Sequence, residues 1–101
     1  MDMTGKTVLI TGASRGIGAE AARIFALAGA NVGLLARSKQ NVEALASELG
    51  SRTFGMECDV SSFEQVDAAV RTSVEKFGGV DVLIGNAGGH RTDFASGDRG
   101  P

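Results

Sequence analysis

The 101-residue sequence predicts an α/β protein built on a parallel sheet, and three observations carry that expectation. Short apolar runs alternate with longer stretches whose apolar residues recur at helical spacing. The runs are continuously hydrophobic, as expected of strands covered on both faces, and the connections between segments are short. A β-α-β-α-β-α-β order of this kind calls for right-handed crossovers.

Lys6 to Thr11 (KTVLIT), closed by Gly12, reads as the first strand. From Gly16 onward, Ile17, Ala21, Ile24, Phe25 and Ala28 share one helical face, predicting a helix that ends near Gly29 with its bulkier residues against the sheet. Asn31 to Ala36 (NVGLLA) is a second strand, and Val42, Leu45, Ala46 and Leu49 mark the buried face of a second helix stopped by Gly50. Arg52 to Met56 is a weaker third strand. Ser61 and Ser62 each have a capping-box partner three positions on, Glu64 or Gln65, so a helix start is marked while its register stays open. Phe63, Val66, Val70, Val74 and Phe77 then repeat near the helical period, with Asp67 and Arg71 as an outer i, i+4 pair worth about 0.2–0.5 kcal/mol. Gly78-Gly79 breaks this helix, and Val80 to Ile84 (VDVLI) is the fourth strand. One domain over residues 1–89 is expected, followed by an irregular or disordered tail over 90–101 (HRTDFASGDRGP), which has no periodicity.

Composition narrows the function. Ten basic and 12 acidic side chains give a formal charge of −2 with no long block of one sign, which argues against nucleic acid or a membrane surface as partner. Cys58 is the only cysteine and His90 the only histidine, so neither a disulfide framework nor a soft metal cluster is expected. No signal peptide or membrane span is visible, and a reducing, cytoplasmic compartment is the expectation.

The chemistry-bearing feature is the loop leaving the first strand, Thr11-Gly12-Ala13-Ser14-Arg15-Gly16-Ile17-Gly18, which opens the first helix. Glycines there let the chain turn tightly and the backbone approach a pyrophosphate, while first-turn amides face the anion. The spacing is G-x-x-x-G-x-G. It differs from G-x-G-x-x-G in its middle glycine, and it is not a triphosphate P-loop because no lysine follows. The second strand ends at Arg37-Ser38, Arg37 lying 19 residues beyond Gly18, where an acidic residue would accept ribose hydroxyls and an arginine favours a 2′-phosphate. Arg37, with Arg15 on the loop rim, therefore predicts NADP(H) over NAD(H); two ordinary surface arginines are the alternative. Asp59, before Val60, can accept from an adenine amino group or can simply start the turn before Ser61. Asn86-Ala87-Gly88 closes the fourth strand. The four strand ends together predict one site.

On these residues the chain resembles the N-terminal part of the short-chain dehydrogenase/reductase family, near its ketoacyl-carrier-protein-reductase-like members, over about residues 4–89. The resemblance rests on residues 11–18, Asp59-Val60 and Asn86-Ala87-Gly88. It implies a Rossmann-like three-layer parallel sheet of strand order 3-2-1-4, stopping after the fourth strand, with residues 1–89 a partial NAD(P)-binding domain. It also implies that Gly12, Ser14, Arg15, Gly16, Ile17 and Gly18 line the pyrophosphate and ribose, that Arg37 selects the 2′-phosphate, and that Asp59 and Val60 bracket the adenine. Asn86, Ala87 and Gly88 would border the riboses. Gly85 departs from the family, which usually has a second asparagine there.

Family members carry a serine and a tyrosine-x-x-x-lysine pair well downstream. This chain has no tyrosine, and its lysines, Lys6, Lys39 and Lys76, all precede Asn86, so no residue is assigned to catalysis. The expected function is the N-terminal cofactor-binding portion of an NADP(H)-dependent oxidoreductase of a carbonyl/alcohol pair, with a small-molecule substrate only in a full-length form. The alternatives are a non-catalytic nucleotide-binding or assembly module, or a non-functional fragment. An open fourth-strand edge and an under-covered second face would invite self-association into a homo-oligomer or local disorder.

Overall fold

The computed structural model describes residues 1–85. Strands β1 (Thr7–Thr11), β2 (Asn31–Ala36), β3 (Thr53–Glu57) and β4 (Val82–Ile84) alternate with helices α1 (Gly16–Leu27), α2 (Lys39–Leu49) and α3 (Phe63–Phe77). All strand pairs are parallel and the sheet order is β3-β2-β1-β4, the predicted topology. The predicted tail lies outside the described residues.

The central strands are the apolar runs, because only they have neighbours on both edges and helices over their faces. All five residues of β1 and five of the six in β2 are buried. The edge strands are wetter: β3 is half-buried, and among the described residues β4 pairs only with β1. β4 is also shorter than predicted. Asp81 ends the ladder, its amide donating to the Thr7 carbonyl (2.9 Å) and its Oδ2 accepting from the Thr7 amide (2.8 Å), which pins the start of β4 on β1.

Strand alternation sends side chains to two cores. Val8, Ile10, Val32 and Leu34 meet α1 and α2 on one face, with Ala19, Ala22, Val42 and Leu45 among their partners. Leu9 and Leu35 meet α3 on the other, with Cys58, Ala69 and, at the margin, Phe54, Met56, Val66 and Leu83. The Phe54 and Phe77 rings lie 5.9 Å apart there, binding the end of α3 to β3.

The inner face of α1 corrects the periodicity reading. Gly18, Ala19 and Ala22 are its buried residues, whereas Ile17 (80% exposed), Ile24 (49%) and Leu27 (90%) face outward and Ala21, Phe25 and Ala28 are half-buried. A helix that begins at a tight loop off β1 runs close to the sheet, and only small residues fit at that contact. Bulk is therefore displaced to the flanks. Close approach recurs at β3, where a Cβ on Gly55 would run into the Val42 carbonyl of α2.

No helix among the described residues is long and apolar enough to cross a membrane, and no group of three or more His, Cys, Asp or Glu in them is placed to hold a metal.

Candidate functional site

In an open parallel sheet the C-terminal strand ends share one rim. The described site residues fall on it: Gly12, Ser14, Arg15, Gly16, Ile17 and Gly18 after β1, Arg37 and Ser38 after β2, and Asp59 and Val60 just beyond β3. Asn86, Ala87 and Gly88 lie outside the described residues.

The three loop glycines do two different jobs. Gly12 (φ +62°) and Gly16 (φ +64°) hold left-handed backbone that side chains resist, and a Cβ on Gly16 would meet open space, so conformation alone calls for glycine there. Gly18 is buried and lets α1 lie near the sheet. Between them Ala13 is buried and its amide donates to the Leu35 carbonyl (3.1 Å), tying the loop to β2. Arg15 is the N-cap of α1 in extended backbone, with no side-chain cap. By contrast Ser38 Oγ caps α2 by accepting from the Asn41 amide (3.3 Å), and Ser62 Oγ caps α3 by accepting from the Gln65 amide (3.3 Å). Among the three described helices, the one entered through the glycine loop is the one whose N-cap side chain makes no capping hydrogen bond, which leaves first-turn amides for an anion.

Arg37 is exposed. One strand over, the Cys58 amide still donates to the Ala36 carbonyl (2.8 Å), which brings Asp59 beside the end of β2. Asp59 Oδ1 accepts from both the amide (2.9 Å) and the hydroxyl (2.7 Å) of Ser61. These bonds, and more weakly the Arg37 charge, hold the Asp59 carboxyl below the usual carboxylate range. The Asp59 amide in turn donates to Gln65 Oε1 (2.8 Å). Sequence reasoning misses the Ser61 and Gln65 contacts; the Ser-Ser pair and its capping-box partner are the available signal, and that signal speaks only of a helix start. Burial first, then the Asp59 charge, pushes the Cys58 thiol up, the direction opposite to that of an activated thiolate.

The short chain dehydrogenase family profile matches residues 6–98 of this chain. The chain belongs to that family. It is 46% identical to the oxidoreductase UcpA of Salmonella typhimurium, over 96% of its own length and 39% of the relative's. It is 41% identical to the 3-oxoacyl-[acyl-carrier-protein] reductase FabG of Vibrio cholerae, over 87% of this chain and 36% of that one. Among solved structures, a 3-ketoacyl-(acyl-carrier-protein) reductase from Brucella melitensis superposes with a TM-score of 0.77 at 42% identity, covering 79% of this chain and 33% of the other. This short-chain dehydrogenase chain thus spans between a third and two fifths of these relatives.

The Brucella reductase was solved with NADH, and that finding overturns the NADP(H) preference expected from Arg37 and Arg15. The rim supplies the physical reason. The Asp59 carboxylate lies near enough to Arg37 for their charges to interact, so a phosphate approaching Arg37 also meets a negative charge.

Proposed function

We propose that the rim binds NAD(H), and that this short-chain dehydrogenase chain supplies the cofactor-binding portion of an oxidoreductase acting on a carbonyl/alcohol pair. The observation that carries the proposal is the uncapped first turn of α1, presented by two left-handed glycines. Its amides, with Ser14 and Arg15, would hold the pyrophosphate. Asp59 and Val60 would receive the adenine, Arg37 and Ser38 would flank the adenosine ribose, and Asn86, Ala87 and Gly88 would border the nicotinamide side. When bound, the dinucleotide supplies hydride transfer. The proton donor and the substrate pocket would have to come from groups outside this sequence, which contains no tyrosine.

Titration of the chain with NADH and NADPH, followed by calorimetry, tests the reading. Saturable binding with NADH the tighter ligand is expected, and Gly16→Val should abolish it by straining the turn. A folded chain that ignores NADH would overturn the proposal.

A further inference from the structure

The contacts that hold Asp59 go beyond what a helix start requires. In an ordinary capping box the side chain at the third helical position reaches back to the amide of the N-cap residue. Here the N-cap is Ser62, but its amide already donates to the Asp59 carbonyl (2.9 Å). Gln65 Oε1 is diverted three residues further back, to the amide of Asp59 itself (2.8 Å), while the Gln65 amide still donates to Ser62 Oγ (3.3 Å). Two further donors of the turn, the amide and hydroxyl of Ser61, both converge on one carboxylate oxygen, Oδ1. A carboxylate fixed through its backbone amide and through one oxygen retains one oxygen, Oδ2, in a defined direction.

We infer that Ser61 and Gln65 are positioning residues for base recognition, aiming Asp59 Oδ2 at the exocyclic amino group of the adenine. The inference rests on the dinucleotide reading above. It assigns base selectivity to two side chains that need not touch the nucleotide: Ser61 sets the rotation of the carboxylate and Gln65 sets the backbone that carries it. A carboxylate has only acceptor atoms. It therefore favours a base with an amino group at that position and opposes one with a carbonyl there, where two acceptors would face each other. Without the clamp the carboxylate rotates freely, and the preference is averaged away while the glycine-loop contribution to affinity remains.

The experiment compares dissociation constants of the chain for NADH and for its hypoxanthine analogue, in which a carbonyl replaces the adenine amino group. The wild type is expected to prefer NADH by about tenfold or more, the scale of one hydrogen bond to a charged group. Ser61→Ala and Gln65→Ala, both at exposed positions, should bring the ratio to within about twofold of unity with little change in melting temperature. Ser61→Thr, which keeps the hydroxyl, should restore the preference. If both alanine variants fold and keep the wild-type ratio, the positioning role is overturned while the dinucleotide site stands. Equal binding of the two nucleotides by the wild type would likewise overturn the positioning role and leave the site standing. If the folded wild type binds neither, the site itself fails, and the inference with it.

Discussion

The two faces of the sheet are made by the same strands, often by adjacent residues, yet they are filled differently. Among the described residues, the core under α1 and α2 contains 12 buried hydrophobic residues and the core under α3 four, ringed by half-buried ones. Strand hydrophobicity does not explain the contrast, since β1 alternates Val8, Leu9 and Ile10 between the faces and all three are inaccessible. Helix cover does. Two helices, α1 through Gly18, Ala19 and Ala22 and α2 through Val42, Leu45 and Ala46, cover one face, whereas α3 alone covers the other, burying Ala69 and Ser73 with Val66 and Val70 half-buried, and β4 gains no second neighbour among the described residues.

Urea unfolding of matched variants would break this comparison or sharpen it. The largest effect is expected for Ile10→Ala, under the two-helix face, which should cost about 3–4 kcal/mol; Leu83→Ala, half-buried on the other face, should cost about 1–2 kcal/mol. Equal costs would show that the faces are packed alike.

Two glycines give a second matched pair. A Cβ on Gly55 meets the Val42 carbonyl and the Glu43 amide of α2, which is backbone and cannot yield, and should cost about 3 kcal/mol. A Cβ on Gly33 meets Leu9 Cδ2 and the Phe54 ring, the outer atoms of side chains next to a looser core, and should cost about 1–2 kcal/mol. The order of the two melting temperatures reads the result.

A smaller effect of opposite sign is expected on the α3 face. Ser73 is buried there with no hydrogen-bond partner for its hydroxyl among the described residues, so Ser73→Ala should raise stability by about 1 kcal/mol, visible as a higher urea midpoint. A lower midpoint would show that the hydroxyl is satisfied. The smallest effect concerns the rim. Because the folded pKa of Asp59 is depressed, its contribution is complete above the ordinary carboxylate range, at about pH 4, and is lost as pH falls through the lower folded value. The difference in stability between wild type and Ser61→Ala should therefore be constant from pH 7 to about 5 and shrink below about 4. A difference that stays constant into acid would mean that Ser61 does not act through the carboxylate.

Much of the fold is legible in the sequence because its causes are local. Continuous apolar runs, left-handed glycines at the loop, and serines ahead of helices act within a few residues. They place all seven elements to within two residues at most boundaries. Other features are illegible for a definable reason. Periodicity says which residues of α1 are apolar but not how close the helix lies to the sheet, so Ile17 and Ile24 are expected inside and found outside. At the rim, the spacing of Arg37 from Gly18 names a candidate position, but a phosphate preference depends on the charge near the arginine. That charge is Asp59, 22 residues away in sequence and one strand away in space.

The order of elements, the glycine turn and the parallel class follow from chain sterics and the pattern of apolar residues, which any short window of the polypeptide contains. Which side of α1 is inside, which serine caps α3, and whether Arg37 stands alone or beside a carboxylate depend on distances between segments far apart along the chain. Packing density and Coulomb interactions fix those distances, and they act only once the sheet has assembled.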